Sequence, residues 1–238
     1  MSESADAGYL VVDVGGTKTL VALARRQAGA WVFSHRQRYP STNFAHLTGL
    51  LHHWLGQHRL SARQLRAGAL AIAGPVWGRG TTARSRATNL DWPDIHAAEL
   101  TEELGFPVGL LNDFQAIGAS LASLGPDDTL TLQAGQRQPD GLRLVVGVGT
   151  GLGTCLVGPP PEQAIFAGEG GHAILAPADA QQAALAAWLS ALQQTPCRRE
   201  DLLSGGGIAH LAAYHLQQQP DATDLAEALR TMTAGAAF

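Results

Sequence analysis

The residues of this sequence best suited to chemistry are acidic side chains that stand beside glycine-rich segments. Asp13 lies in the phrase LVVDVGGTKTLVAL (10–23), between an apolar run and a pair of glycines. A related phrase, LVVGVGTGLGTCLV (144–157), returns later in the chain without the aspartate. Glycines in such turns let backbone N–H groups approach an anion closely, because they carry no Cβ atom. The repeat therefore predicts two turns that hold a polyphosphate between them.

The two turns do not match the best-known nucleotide-binding motifs. A Walker A loop is excluded because GxxxxGK[ST] is absent, and GVGTGLG misses GxGxxG because Leu152 takes the place of the third glycine. Thr17 and Thr150 would add hydroxyl donors to the two turns. The alternative interpretation is a pair of ordinary tight turns, which the repetition makes less attractive.

A carboxylate beside a phosphate cradle suggests a metal ion. Mg²⁺ keeps several waters and takes few protein carboxylates, so Asp13 is predicted to hold Mg²⁺ indirectly, through water. One metal ion bound to one phosphate chain needs only one such aspartate. The second phrase can therefore have Gly147 at the position that corresponds to Asp13. The alternative is that Asp13 only hydrogen-bonds within its own turn.

A second candidate centre is the pair Asn112 and Asp113, which ends an apolar run and opens a helical pattern. Ligands gather at the carboxyl ends of strands in open α/β sheets. Asp113 is predicted to accept a proton from a substrate hydroxyl, as aspartate bases of kinases do. The alternative is that it only caps the following helix.

Further polar side chains lie downstream in glycine-rich surroundings. Glu169 and His172, in AGEGGHA (167–173), offer an acceptor and a group that donates or accepts, which suits the neighbouring hydroxyls of a sugar. A surface glutamate and a structural histidine are the alternatives. Glu200, in RREDLLSGGG (198–207), is expected at a helix start, where a solvated acidic residue is common.

These residues must be positioned by a mixture of strands and helices, which indicates an α/β protein. Strands are expected at residues 9–14, 20–24, 30–39, 67–74, 108–113 and around the second glycine turn. Helices are expected at residues 44–55, 95–104 and 114–124, and Pro93 is expected to start the second of these. Three apolar stripes after residue 180 predict three more helices, and the last stripe consists of Leu225, Ala228, Leu229 and Met232.

Composition narrows the class of protein. The 238 residues are 45% hydrophobic and 15% charged, as in a folded chain of one large or two small domains. A net charge of -4 argues against general nucleic-acid or membrane-surface binding. Cys155 and Cys197 form no CxxC motif, and the first residues do not resemble a signal peptide. We expect a cytoplasmic protein with no nucleic-acid or membrane partner, and a homodimer is left open.

Seven segments in order and spacing resemble the bacterial glucokinases of the hexokinase, actin and Hsp70 superfamily. They are DVGGTKT, AIAGPV, TNLDW, LNDF, GTGLG, GEGGH and REDLLSGGG. The resemblance runs from about residue 9 to residue 217. It implies a two-domain actin-like ATPase (ribonuclease H-like) fold that is C-terminally incomplete, with a small α/β domain at 1–112 and a larger one at 113–238.

The resemblance also implies an activity and a role for each matching residue. It implies a glucokinase that uses ATP and Mg²⁺, with Asp113 as the base that deprotonates the 6-hydroxyl of glucose. The residues implied to hold glucose hydroxyls are Asn112, Glu169, His172 and Glu200. Those implied to hold the phosphates of ATP are Asp13, Gly15, Gly16, Thr17 and Lys18 in the first turn and Gly149, Thr150 and Gly151 in the second.

Two departures from the family pattern keep other functions in view. Lys18 stands where many close family members have asparagine, and the family's C-terminal segment, which contributes a glycine pair beside the adenosine, is expected to be missing. One alternative is a non-catalytic sugar-binding or regulatory remnant of a glucokinase. Another is a kinase of a different hexose, because tight hydrogen bonding to each hydroxyl decides between such substrates.

Overall fold

The computed structural model describes residues 7–88, 90–136 and 138–219. The strands are β1 (Gly8–Val14), β2 (Lys18–Gln27), β3 (Ala30–Pro40), β4 (Leu65–Ile72), β5 (Val76–Trp77), β6 (Arg84–Ser85), β7 (Ile95–His96), β8 (Val108–Asn112), β9 (Arg143–Val148), β10 (Leu152–Val157) and β11 (Ile165–Gly168). The α-helices are α1 (Leu47–Gln57), α2 (Ala97–Leu104), α3 (Asp113–Ser120), α4 (Ala180–Gln193) and α5 (Gly205–Gln218). Asn89 of the TNLDW segment and the stripe expected at 225–232 lie outside the described residues.

The described chain forms two compact units, which divide between Ser123 and Leu124. The sequence expectation placed a domain boundary between residues 112 and 113 instead. Because α3 packs on β4 and β8, the helix that begins at Asp113 belongs to the first unit.

The first unit is built on a five-stranded sheet in the order β3-β2-β1-β4-β8. β1 pairs antiparallel with β2, and β2 with β3, whereas β4 runs parallel to both β1 and β8. In the register of the parallel strands, Val14, Ile72 and Asn112 lie side by side at the carboxyl ends. Asp13 comes one position before this row, and Asp113 comes one position after it.

One face of this sheet forms the main core. Leu10, Val12 and Val14 of β1 alternate with exposed or half-buried residues, as expected for a strand with one covered face. The residues of α1 that pack into this core are Leu47, Leu50, Leu51, Trp54 and Leu55. Burying a side chain of this kind stabilises the fold by roughly 1.5–3 kcal/mol.

Three helix boundaries differ from the sequence expectation. The helix expected from residue 44 begins at Leu47, and Phe44 lies in extended backbone before it. Pro93 does not start a helix, because Ile95 and His96 pair with β6 as strand β7 and α2 begins only at Ala97. The helix expected to reach residue 124 ends at Ser120 and continues as a short 3-10 turn. Pairing with a neighbouring strand outweighs local helix preference at β7, which a one-dimensional pattern does not reveal.

The described part of the second unit contains a three-stranded antiparallel sheet in the order β11-β10-β9. This order repeats that of β3, β2 and β1 in the first unit. Each glycine phrase therefore forms the hairpin between the first two strands of an antiparallel three-stranded arrangement. A smaller core forms around α4 and the segment that precedes α5; its buried members are Ala186, Leu189, Cys197 and Leu202. Among the described residues, no helix is both long and apolar enough to cross a membrane.

Candidate active site

The first glycine turn joins β1 to β2 through residues 15–17. The N–H of Gly15 donates to the carbonyl of Lys18 at 3.0 Å, which closes the turn. A Cβ atom at Gly15 would lie 3.0 Å from the same carbonyl oxygen, so the tight closure favours glycine. Gly16 is half-buried, whereas Thr17 and Lys18 are exposed.

Asp13 lies on β1 opposite Leu20 of β2, at the base of this turn. Partial desolvation of its carboxyl group raises the pKa of Asp13, and the Lys18 ammonium acts in the opposite direction. Lys18 offsets only part of the desolvation of the Asp13 carboxylate, and a bound cation near it would offset more.

The second candidate centre is the junction of β8 and α3. Asn112 is the N-cap of α3: its Oδ1 accepts from the N–H groups of Phe114 at 2.9 Å and Gln115 at 3.3 Å. Its Nδ2 donates to the carbonyl of Gly74 at 3.1 Å, which leaves the second amide hydrogen for another acceptor. The capping role that the sequence left open for Asp113 is therefore filled by its neighbour.

Asp113 lies one position beyond β8, half-buried at the carboxyl edge of the sheet. Burial raises the pKa of the Asp113 carboxyl group, and the negative charge of Asp13 raises it further. The N–H of Phe114, which donates to Asp113 Oδ1 at 2.9 Å, lowers it. Asp13 lies on β1 and Asp113 directly after β8, and β4 separates these two strands in the sheet.

A third group of polar residues gathers in the second unit. His172 Nδ1 lies 3.5 Å from Glu169 Oε2, and His172 Nε2 lies 3.1 Å from Glu200 Oε1. The side chain of Glu200 is only 23% exposed, compared with 70% for Glu169. The structure thus brings together three residues that the sequence separates by up to 31 positions (169 to 200).

The loop that carries Glu169 and His172 is held by backbone contacts that require small residues. The N–H of Glu200 donates to the carbonyl of Gly171 at 3.0 Å, which links the two halves of the group. A Cβ atom at Gly171 would lie 2.2 Å from the carbonyl oxygen of Leu152, so no other residue fits there without displacement. Thr154 Oγ1 donates to the carbonyl of Gly168 and accepts from the N–H of Gly170.

The second glycine turn lies beside this group. The N–H of Gly149 donates to the carbonyl of Gly151 at 2.9 Å, and the N–H of Gly205, the first residue of α5, donates to the carbonyl of Gly149 at 2.8 Å. A Cβ atom at Gly151 would lie 3.0 Å from Glu200 Oε2. One carboxylate therefore lies against both His172 and the turn. Thr150 is exposed at the tip of this turn.

Glu200 itself is not at a helix start, as the sequence suggested. It lies in a turn, and α5 begins later, at Gly205, with Ser204 as its N-cap. Sequence reasoning also missed two buried hydroxyl groups beneath the first turn, those of Thr19 and Ser41. No local signal marks them, because a serine and a threonine at these places look like ordinary strand and turn residues.

Comparison with known proteins shows the family of the chain. The family model described as Glucokinase matches residues 10–237. The chain belongs to the glucokinase family. Over 230 residues it is 31% identical to the glucokinase of Nostoc sp. (strain PCC 7120), an alignment that covers 93% of this chain and 65% of that protein. The chain therefore spans somewhat less than two thirds of the length of such a family member.

Solved structures confirm the expected fold. A glucokinase from an Antarctic psychrotroph superimposes with a TM-score of 0.69 and 28% identity, covering 90% of this chain and 65% of that one. A ROK family glucokinase from Streptomyces griseus, in complex with glucose and AMPPNP, has a TM-score of 0.54 and 17% identity over 90% of this chain and 63% of that one. The fold is that of the actin-like sugar kinases, matched over part of their length.

Proposed function

We propose that this protein is a glucokinase, which transfers the γ-phosphate of ATP to the 6-hydroxyl of glucose. Membership of the glucokinase family supports this activity. Glucose and an ATP analogue are the ligands of the Streptomyces griseus relative, which is alike in fold. The residues of the candidate site supply a chemical reason for the same reaction.

The observation that carries the proposal is the environment of Asp113. Its carboxyl group lies at the carboxyl edge of the sheet, and burial together with the charge of Asp13 raises its pKa. A carboxylate with a raised pKa is a stronger base and suits proton abstraction from a hydroxyl group. Asp113 takes the proton of the 6-hydroxyl while the oxygen forms a bond to the γ-phosphorus and the bond from that phosphorus to the leaving ADP breaks.

The sugar is held by Asn112 and by the group around His172. Asn112 offers its remaining amide hydrogen to the sugar. Its hydrogen bonds to the Gly74 carbonyl and the Phe114 N–H keep the side chain in one orientation. Glu169 and Glu200 accept from sugar hydroxyls through charge-assisted hydrogen bonds, which are stronger than neutral ones. Both ring nitrogens of His172 face these carboxylates, so His172 orients Glu169 and Glu200 and reaches a sugar hydroxyl itself when one of the two contacts opens.

The phosphates of ATP are held by the glycine turns, with Gly15, Gly16, Thr17 and Lys18 in the first and Gly149, Thr150 and Gly151 in the second. Asp13 fits a Mg²⁺ ion held through water, because a single exposed, partly desolvated carboxylate is the donor such an ion needs. Among the described residues no group of three or more His, Cys, Asp or Glu side chains is arranged to hold a metal ion. When bound with ATP, Mg²⁺ supplies neutralisation of the phosphate charge.

The test is a coupled assay for glucose 6-phosphate with ATP and Mg²⁺, comparing the chain with its Asp113→Asn variant. We expect kcat to fall by about 10²–10⁴-fold, the usual contribution of a general base, while glucose binding by calorimetry is retained. Asp127→Asn is the matched control, because Asp127 is an exposed aspartate in a short turn of the second unit. Its kcat should equal that of the unchanged chain.

Stability provides a second measurement on the same variants. Because the folded-state pKa of Asp113 is raised, the ionised form costs folding free energy, and that cost appears as the pH rises through the raised pKa. Asp113→Asn should therefore melt at the same or a higher temperature than the unchanged chain at pH 7. Loss of turnover with loss of stability would contradict the assignment of Asp113 as base, and glucose binding without turnover in the unchanged chain would identify a sugar-binding protein instead.

A further inference from the structure

We propose that Ser41 and Thr19 are positioning residues, which fix the shape of the first glycine turn for the phosphates of ATP. Both residues are completely buried. Ser41 follows β3 and lies 26 positions after Gly15, yet its hydroxyl group donates to the carbonyl of Gly15 at 2.9 Å. This inference deepens the function proposed above and rests on it.

The direction of each hydrogen bond follows from counting protons. Ser41 carries one hydroxyl hydrogen, and the carbonyl of Gly15 can only accept, so that hydrogen is engaged there. The contact of 3.0 Å between Thr19 Oγ1 and Ser41 Oγ must then be a donation from Thr19 to Ser41. The two hydroxyl groups form a buried relay that ends on the turn, and we call this pair the hydroxyl relay.

A backbone contact completes the attachment. The N–H of Ser41 donates to the carbonyl of Thr17 at 3.0 Å, so one residue holds carbonyl groups at both ends of the turn. Within the described residues, the N–H groups of Gly16 and Thr17 donate to no protein acceptor. Because the carbonyl groups are tied down to buried partners, these N–H groups are left for an anion.

The relay acts on the turn and not on the substrate. Thr19 and Ser41 have no exposed surface, so neither touches ATP or glucose directly. Removal of a hydroxyl group leaves a buried polar partner unsatisfied, which costs about 1–3 kcal/mol and is relieved by movement of the turn. The relay therefore predicts a defect in nucleotide binding that leaves sugar binding intact.

The experiment compares Ser41→Ala, Thr19→Val and Thr19→Ser in the full chain. Thr19→Val keeps the shape of the side chain and removes its donor, whereas Thr19→Ser keeps the donor. Ser85→Ala is the matched control, since Ser85 is also completely buried and its hydroxyl donates to a carbonyl, that of Pro75, at 2.8 Å. The measurements are KM for ATP, KM for glucose, the melting temperature, and amide hydrogen exchange of Gly15 and residue 41.

Ser41→Ala and Thr19→Val should raise KM for ATP about tenfold, the equivalent of about 1.4 kcal/mol, and leave KM for glucose unchanged. The amides of Gly15 and residue 41 should exchange faster in both variants. Thr19→Ser should stay close to the unchanged chain, and Ser85→Ala should alter the melting temperature without altering KM for ATP.

Three results would overturn the proposal. They are unchanged exchange at Gly15, a KM for ATP in Thr19→Val that is unchanged or rises no more than KM for glucose, and a rise of KM for ATP in Ser85→Ala equal to that in Ser41→Ala. If Ser41→Ala does not fold, Thr19→Val and Thr19→Ser decide the question alone. An unchanged chain that neither binds nor turns over ATP would disprove the proposed function. The exchange data would then still show whether the relay holds the turn.

Discussion

The two glycine hairpins have the same strand order but differ in how each turn is held. The β1–β2 turn is tied to a serine beyond β3, through the hydroxyl of Ser41 to Gly15 and its N–H to Thr17. The β9–β10 turn is tied instead to the first N–H of a helix, which Gly205 donates to Gly149. The same turn can therefore be held by different hydrogen-bond donors: a buried hydroxyl group on the carbonyl of Gly15, and the first N–H of a helix on the carbonyl of Gly149.

The carboxylates of the two hairpins also come from different places. The first hairpin carries its own, Asp13, on β1. The second has Gly147 at the matching position and receives a carboxylate from Glu200, whose Oε2 lies against Gly151. We infer that the two sites divide their work, with the first carboxylate serving the metal and the phosphates and the second serving the sugar.

Burial separates the hairpins as well. β1 lies in the middle of its sheet between β2 and β4, and Leu10 and Val14 on it are fully buried. Within the described residues β9 pairs only with β10, and Leu144, Val146 and Val148 are 64%, 53% and 65% exposed. The first hairpin is thus the more deeply buried of the two in the described chain, and substitutions in its turn should cost more stability.

The largest expected effect comes from the carboxylate of the first hairpin. Asp13→Asn should lower kcat/KM for ATP with Mg²⁺ about 100-fold, because a charged group that stabilises developing charge typically contributes this much. The measurement is the initial rate as a function of Mg²⁺ concentration. An unchanged Mg²⁺ dependence would break the division of work between the hairpins.

A smaller effect is expected from the carboxylate beside the second hairpin. Glu200→Gln should weaken glucose binding about tenfold, because it replaces charge-assisted hydrogen bonds with neutral ones, and should leave KM for ATP nearly unchanged. Calorimetric titration with glucose measures the loss. A rise in KM for ATP with normal glucose affinity would assign Glu200 to the phosphate site instead.

The smallest effect is on stability and concerns the glycines of the turns. Gly15→Ala should lower the free energy of unfolding by about 1–2 kcal/mol, because its Cβ atom would press on the Lys18 carbonyl at 3.0 Å. Gly149→Ala is the matched variant, since a Cβ atom there meets nothing within 4 Å and should cost less than about 0.5 kcal/mol. Thermal or denaturant unfolding distinguishes the two, and equal losses would contradict the difference in packing.

Much of the fold could be predicted because its signals are local. The alternation of apolar residues in 9–14 and the apolar spacing of α1 follow from the periods of strand and helix. Both elements are present, although α1 begins at Leu47 and not at residue 44. Where a neighbouring strand competes, as for Ile95 and His96, the local pattern was wrong. Pairing partners far away in the sequence decide such cases, and their energies do not appear in a local window.

The sequence by itself determined the repeated glycine turns, the acidic residues beside them and the order of motifs that resembles the glucokinases. Only the tertiary structure decided that Asp13 and Asp113 lie at one sheet edge, that Glu200 meets His172, and that Ser41 lies beneath Gly15. The physical reason is that turns and periodicities are encoded by neighbours in the chain. A hydrogen bond between distant residues depends on strand register and on which atoms packing leaves within about 3 Å of each other.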